Sequence, residues 1–360
     1  MRNIDGISRV SHGAAFAFLL LLLLCACTRE ERWGRSPVDG MITLKLKVSL
    51  PRDERPVPVQ LSRATSPGSA EESRVSTLRL FVFKSNENKL EKYQSVSILP
   101  DGTSNDPSWN PAEKAMHVVV SPGPKRIYCI ANWSEAPTAE MPEISDKTVT
   151  DTLSLISKTR LHGTDALVNP PVMSGRLALT LVGNEQKLSV PLARQVARVE
   201  IFPMLSAELK ALGVDVKIEG VKFARVPASS FVFEQKSPVV VAGSLEQSAF
   251  AGATFSVTAA KPGDAVKYPV DYYAPEHFAA SEAATTVMII KTSYNGKTTY
   301  YAAPLGEPSS GASPSYSVRR NYCYNYYLTI RGIGSPTVAT RSLAPAAYAN
   351  IHLERLEVLP

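Results

Sequence analysis

Apolar and polar residues alternate one for one in segment after segment of this chain, and that period of two constrains the fold more than any other feature. Met41 to Leu50, MITLKLKVSL, sets Ile42, Leu44, Leu46 and Val48 on one side and Lys45 and Lys47 on the other. Successive side chains of a β-strand point to opposite faces, so such a segment reads as a strand with one dry face and one wet face. Further strand signals follow in VSTLRLFVFK, AMHVVVS, KRIYCIANW, LALTLVG, QKLSVPL and ARVEIFP. They continue in VDVKIEGVKFARV, SFVFEQ, ATFSVTA, TTVMIIKTSYNGKTTYYAAPL, NYYLTIRGI and ANIHLERLEVL. Asn295-Gly296 between two alternating runs predicts a tight hairpin, because a type I′ turn needs positive φ at both central positions. Helical patterning is confined to short pieces, Lys147 to Leu161 and MLSAELKAL. The 27 prolines fall mostly between the runs, where edges and loops tolerate them. Many short strands with turns between them predict an all-β chain of β-sandwiches, and 360 residues suffice for two in tandem. A fresh strand in SVPLARQVARVEIFP puts the boundary near Pro191, giving domains at 64–190 and 191–360.

The amino terminus is organised differently. Arg2 and Arg9 precede an apolar run from Ala14 to Ala26, and TREER ends it abruptly. That run is well short of the roughly 20 residues a membrane-spanning helix needs, and its layout is that of an export signal over residues 1–26. Leu24-Cys25-Ala26-Cys27 resembles a bacterial lipobox, which implies cleavage between Ala26 and Cys27 and a lipid on the Cys27 thiol. An ordinary cleaved signal is the alternative.

Residues 51 to 76, PRDERPVPVQLSRATSPGSAEESRVS, have no apolar period and are rich in Pro, Ser, Arg and Glu. This reads as an exposed segment open to proteolysis. One strand, Met41 to Leu50, is thereby set apart from the rest by a linker that a protease can cut.

Charge excludes one class of function. Residues 1–63 hold ten Lys or Arg and six Asp or Glu, so the remaining chain carries 29 basic against 27 acidic residues out of totals of 39 and 33. That near-balance gives no footprint for nucleic acid. Catalytic groupings are missing as well. The five histidines, His12, His117, His162, His277 and His352, are scattered, with His117 and His352 expected to be half-exposed in strands. No H-E-x-x-H, Cys-x-x-Cys or G-x-S-x-G occurs, so neither a metal, a cofactor nor an enzymatic role is expected. Gly332 and Gly334 in RGIGSP read as a turn. Tyr322, Tyr324, Tyr326 and Tyr327 read as strand packing, and Asn132-Trp133-Ser134 as a chance sequon. Beyond the lipobox the only cysteines are Cys129 and Cys323, read as buried free thiols, with a disulfide left open.

Several segments together resemble the fimbrillin family of Bacteroidales, the lipoprotein-derived pilus subunits. RVSTLRLFVF resembles the first strand after the family's processing loop, and RIYCIANW its strand ending in Ala131-Asn132. PVMSG is similar to the family's PMSG segment with Val172 inserted. PLARQVARVEI resembles the opening of its second domain, through Leu192, Arg194, Ala197, Arg198 and Val199. SVRRNYCYNYYLTIRGI resembles its late strand, through Arg320, Asn321 and Tyr324. The resemblance implies two transthyretin-like β-sandwich domains in tandem, and a precursor lipidated for carriage to the outer membrane. It also implies an arginine-specific protease that removes residues 27–63, cutting here between Arg63 and Ala64. The leaving strand carries Ile42, Leu44, Leu46 and Val48, and a neighbouring subunit's strand fills the vacated groove. The donor would lie at about 348–360, through Ile351, Leu353, Leu356 and Val358, with a bulge expected at Glu354-Arg355. An ordinary last strand is the alternative for that tail. The phase slip favours an accessory or tip-proximal fibre subunit that presents a surface to host or bacterial receptors. An uncut anchor subunit that keeps its lipid remains open. So does a surface lipoprotein that binds a soluble ligand and never polymerises.

Overall fold

The computed structural model describes residues 40–50, 72–135, 142–162, 170–234, 244–247, 249–279, 284–308, 316–338 and 350–359. Most of the strand-like segments form strands, and the described residues are all-β apart from short helical segments.

The first sheet has the order β4 (Trp109–Asn110), β5 (Ala115–Val120), β1 (Ile42–Ser49), β9 (Glu185–Pro191). The second has the order β10 (Ala193–Arg194), β8 (Met173–Leu181), β6 (Gly123–Ala131), β2 (Thr77–Lys84), β3 (Lys89–Ser97). Side chains of both share one core, in which Ile42, Leu44, Leu46, Val118 and Val120 meet Leu78, Leu80, Val82 and Ile127. The second sheet is covered on its other face too. Phe81 and Phe83 of β2 point away from that core into a separate cluster with Tyr128, Ile130, Trp133 and Leu155. This explains the unbroken apolar stretch in TLRLFVFK, since a strand buried on both faces loses its polar alternation.

Helix α1 (Thr152–Lys158) lies over that second face. The sequence pattern suggests a longer helix, but Asp151 caps it late. The Asp151 carboxylate accepts from the Ser154 N–H at 2.8 Å, and the Asp151 N–H donates to the Ser154 hydroxyl at 3.1 Å. Ser145 and Thr148 hold the preceding residues in a turn instead.

A third sheet has the order β16 (Tyr272–Pro275), β11 (Val196–Leu205), β22 (Cys323–Ile330), β23 (Ile351–Leu359). A fourth runs β14 (Ser244–Glu246), β12 (Val216–Pro227), β18 (Val287–Tyr294), β19 (Lys297–Pro304), and β15 (Phe255–Ser256) also pairs with β12. Val199, Ile201, Ile218, Phe223, Ile290 and Leu328 belong to the core these sheets share. The hairpin between β18 and β19 turns at Asn295, φ 47°, and Gly296, φ 78°, as the Asn-Gly pair predicts. Tyr324 and Tyr326 are fully buried, while Tyr327 faces the other way and stacks on Phe202 with ring centroids 4.6 Å apart. The tyrosine run is packing on both faces of one strand. Helix α2 (Ala207–Ala211) starts at Ser206, which caps the Leu209 N–H. The remaining strands form two small sheets. One pairs β7 (Arg160–His162) with β13 (Ser229–Phe231), and the other has the order β17 (His277–Ala279), β21 (Tyr316–Val318), β20 (Glu307–Pro308).

His277 is buried, and its hydrogen bonds fit only the neutral ring. Nδ1 lies 3.4 Å from the Pro275 carbonyl, to which it donates, and Nε2 accepts from the Thr286 N–H at 3.4 Å. Burial holds its pKa below the usual value of 6.5. The unfolded chain therefore takes up this proton at higher pH than the folded chain does. Stability from His277 is complete above about pH 6.5 and declines as pH falls toward the depressed folded value. A melting series from pH 7.5 to 5 should show a falling Tm, with a smaller decline in His277→Gln; identical slopes would remove His277 as a source.

Candidate functional site

Strand β1 occupies an unusual position for a segment so near the start of a chain. It lies inside its sheet, antiparallel to β5 from Ile42↔Val120 to Leu46↔Met116. On its other side it is parallel to β9, from Thr43↔Glu185 to Ser49↔Pro191. Neither pairing contains a bulge. Ile42, Leu44 and Leu46 are fully buried, and Val48 packs against the same core from a partly buried position. On the outer face Lys45 reaches Glu185 at 3.0 Å and Glu113 at 3.7 Å, both exposed pairs that contribute little. What holds β1 is its apolar face and its two backbone ladders. Burying an aliphatic side chain is worth roughly 1.5–3 kcal/mol, so these residues together give a gross gain of about 10 kcal/mol.

The covalent route from β1 to the other strands is single. The chain passes from Leu50 through residues 51–71 to β2, which sits in the facing sheet. One backbone cut in that segment leaves β1 held by contacts alone. Removing it would strip β5 and β9 of a shared neighbour and open a trench floored by Leu78, Leu80 and Ile127. The proposed lipidation and cleavage residues, Ala26, Cys27, Arg63 and Ala64, lie outside the described residues.

The chain downstream of that segment is firmly tied. Glu72 is buried, its carboxylate 3.4 Å from the Arg198 guanidinium and accepting from the Tyr273 hydroxyl. Arg194 reaches the Glu72 carbonyl at 3.4 Å. Burial, together with the hydrogen bond to Glu72, raises the Tyr273 pKa and keeps the phenol protonated. Asn132, φ 61°, accepts from the Ser76 N–H and donates to the carbonyls of Arg74 and Pro171, all at 2.9 Å. Sequence reasoning had no signal for Glu72, the second of two adjacent acids in a polar stretch.

Other motif residues prove to be joints of the fold. Arg320 donates to Glu276 at 2.6 Å and to the Val232 and Phe231 carbonyls at 2.6 and 2.9 Å. Asn321, φ 63°, accepts from the Arg194 N–H at 3.3 Å. A Cβ at Gly175 would stand 2.2 Å from the Pro191 carbonyl oxygen, so only glycine lets β8 pass under the end of β9.

The tail forms β23, antiparallel to β22 and at the sheet edge. Tyr327 pairs with Arg355 and Leu328 with Leu353, leaving Glu354 as the extra residue of a bulge. That correction lets Ile351, Leu353 and Leu356 all pack on the core despite their odd spacing. Val358 lies opposite Tyr324 in the ladder.

Cys129 and Cys323 are free thiols in different sheets. Cys323 is only partly buried, where the sequence suggested a buried thiol, because it opens the strand beside Arg198. Burial still pushes its pKa up to about 11, so it stays a thiol. His117 is half-buried beside Glu113 at 2.9 Å. His352, expected to be half-exposed, is exposed on the edge strand, whose outward side chains meet no covering layer among the described residues. Among the described residues, no group of three or more His, Cys, Asp or Glu is placed to hold a metal, and no helix is long and apolar enough to cross a membrane.

The described residues form paired β-sheets in which an early strand lies between two later ones. Residues 43–212 match the family described as the major fimbrial subunit protein (FimA). The chain is 24% identical over 346 residues to the major fimbrium subunit FimC of Porphyromonas gingivalis, covering 92% of this chain and 70% of the relative. Among solved structures it is similar to the tip fimbrial protein Mfa3 of P. gingivalis, with a TM-score of 0.52 at 14% identity over 89% of this chain and 99% of that one. A candidate cell adhesion protein from Bacteroides eggerthii gives a TM-score of 0.54 at 12% identity, over 89% and 95%.

Proposed function

We propose that the chain is the exported precursor of a structural pilus subunit, assembled by exchange of one β-strand. Lipid on Cys27 delivers it to the outer membrane, and an arginine-specific protease cuts between Arg63 and Ala64. Strand β1 then leaves, and a strand from a neighbouring subunit takes its place between β5 and β9. The observation that carries this reading is the position of β1: fully paired inside its sheet, apolar on one face, and joined to the rest through one segment. The two sheet pairs act as tandem domains, at 64–190 and 191–360. Strand β23, which among the described residues pairs with a single neighbour at a sheet edge, is the segment most readily released as a donor through Ile351, Leu353, Leu356 and Val358. The finished subunit lies at the cell surface, in an accessory or tip-proximal position, where it meets host or bacterial receptors.

The test is the intact mass and amino-terminal sequence of the protein taken from its native outer membrane. A lipid-free chain beginning at Ala64 supports the fibre subunit. A lipidated chain beginning at Cys27 instead gives an anchor or a monomeric surface lipoprotein, for which the well-packed, uncut β1 already forms a complete sandwich.

A further inference from the structure

We infer that the slot vacated by β1 takes a strand of unbroken apolar alternation from an unlike chain, and that this protein does not join copies of itself through its own tail. The inference rests on the strand-exchange reading and adds the kind of partner. It comes from comparing how two strands of one molecule are held.

The slot is regular. Ile42, Leu44, Leu46 and Val48 fall at strict two-residue intervals, and the ladders to β5 and β9 run without a shift. An occupant must satisfy both neighbours at once, one of them parallel. The tail is irregular. Its apolar residues Ile351 and Leu353 are two apart, then Leu356 comes three later and Val358 two after that. Against β22 the mismatch is absorbed because Glu354 bulges and, among the described residues, β23 pairs with no strand on its other side. Bulges belong to antiparallel pairs and sheet edges and are rare in parallel pairs. In the β1 slot the same bulge would break the ladder to β9 as well as that to β5. Seated without a bulge, the tail would direct only one of its two apolar pairs into the trench, since a one-residue slip reverses every side chain beyond it. The tail fits an edge and not a slot. By the same geometry, an acceptor for this tail differs from this chain's own slot.

The test uses the full precursor, cut in the folded state by an arginine-specific protease, with β1 retained by contacts. Three synthetic peptides are added in excess and release of the original β1 segment is followed by mass spectrometry. They are isotope-labelled 40–50, the tail 349–360, and the tail with Glu354 deleted, which restores alternation at all four apolar positions. The labelled β1 peptide and the deleted tail should both exchange. The natural tail should bind about a hundredfold more weakly or worse, because each aliphatic side chain kept out of its pocket forfeits roughly tenfold or more. Equal exchange by the natural and the deleted tail would overturn the inference alone. Failure of the labelled β1 peptide itself to exchange would overturn the strand-exchange reading, and the inference with it.

Discussion

A chain made to begin at Ala64, without β1, should lose the native first sheet pair. The contacts removed are worth a gross 10 kcal/mol or so, against a total stability for a domain of this size of about 5–15 kcal/mol. The expected product binds a hydrophobic dye through the trench floored by Leu78, Leu80 and Ile127, and associates at micromolar concentration. The core around Val199, Ile201, Phe223 and Leu328 contains no β1 residue, so a separate cooperative melting transition should survive. Adding the peptide 41–50 in excess should restore the lost transition and suppress dye binding, since it brings back both ladders and the apolar face. A chain starting at Ala64 that melts like the intact protein would mean that β1 is dispensable packing, and would remove the basis for an exchanged strand.

Leu44→Ala should separate the precursor from the assembled state. Leu44 is fully buried at the middle of β1, and such truncations cost about 2–5 kcal/mol. The uncut protein should therefore melt earlier by several degrees or more, and its cut form should release β1 faster. Once β1 has been replaced, the substitution has left with it, so the rejoined complex should have wild-type stability. Denaturant midpoints on uncut and assembled material check both halves. A lasting deficit in the assembled form would show that β1 remains in the fibre.

Much of the architecture is legible in the residues because period-two patterning speaks directly to burial. MITLKLKVSL, the Asn295-Gly296 turn and the odd spacing from Leu353 to Leu356 each fix a local geometry that needs no partner to be inferred. What is not legible is which strand lies beside which. No local signal says that β1 pairs in parallel with β9, whose partner residues are more than a hundred positions away, because that choice is made by the shape of the whole core. Glu72 is hidden for the same reason, since its partners Arg198 and Tyr273 are more than a hundred positions away. His277 has near neighbours for partners, Pro275 and Thr286, and what the residues do not show is its burial. Asn132 and Asn321 stood out only by resemblance, and the structure gives their physical reason: each turns the backbone into positive φ while bonding to a distant main chain.

The flanking of the β1 slot on both sides has a mechanical consequence. A fibre subunit bears tension along its joints, and a strand drawn lengthwise out of such a slot is loaded in shear. Its bonds to β5 and to β9 resist together and must fail almost at once. The edge strand β23, with one neighbour among the described residues, can instead be peeled from its end bond by bond. Rupture under load follows the height of the barrier to leaving rather than the equilibrium stability. A joint at the slot should accordingly withstand steady pulling far longer than the tail withstands peeling, even where the two bury similar apolar surface.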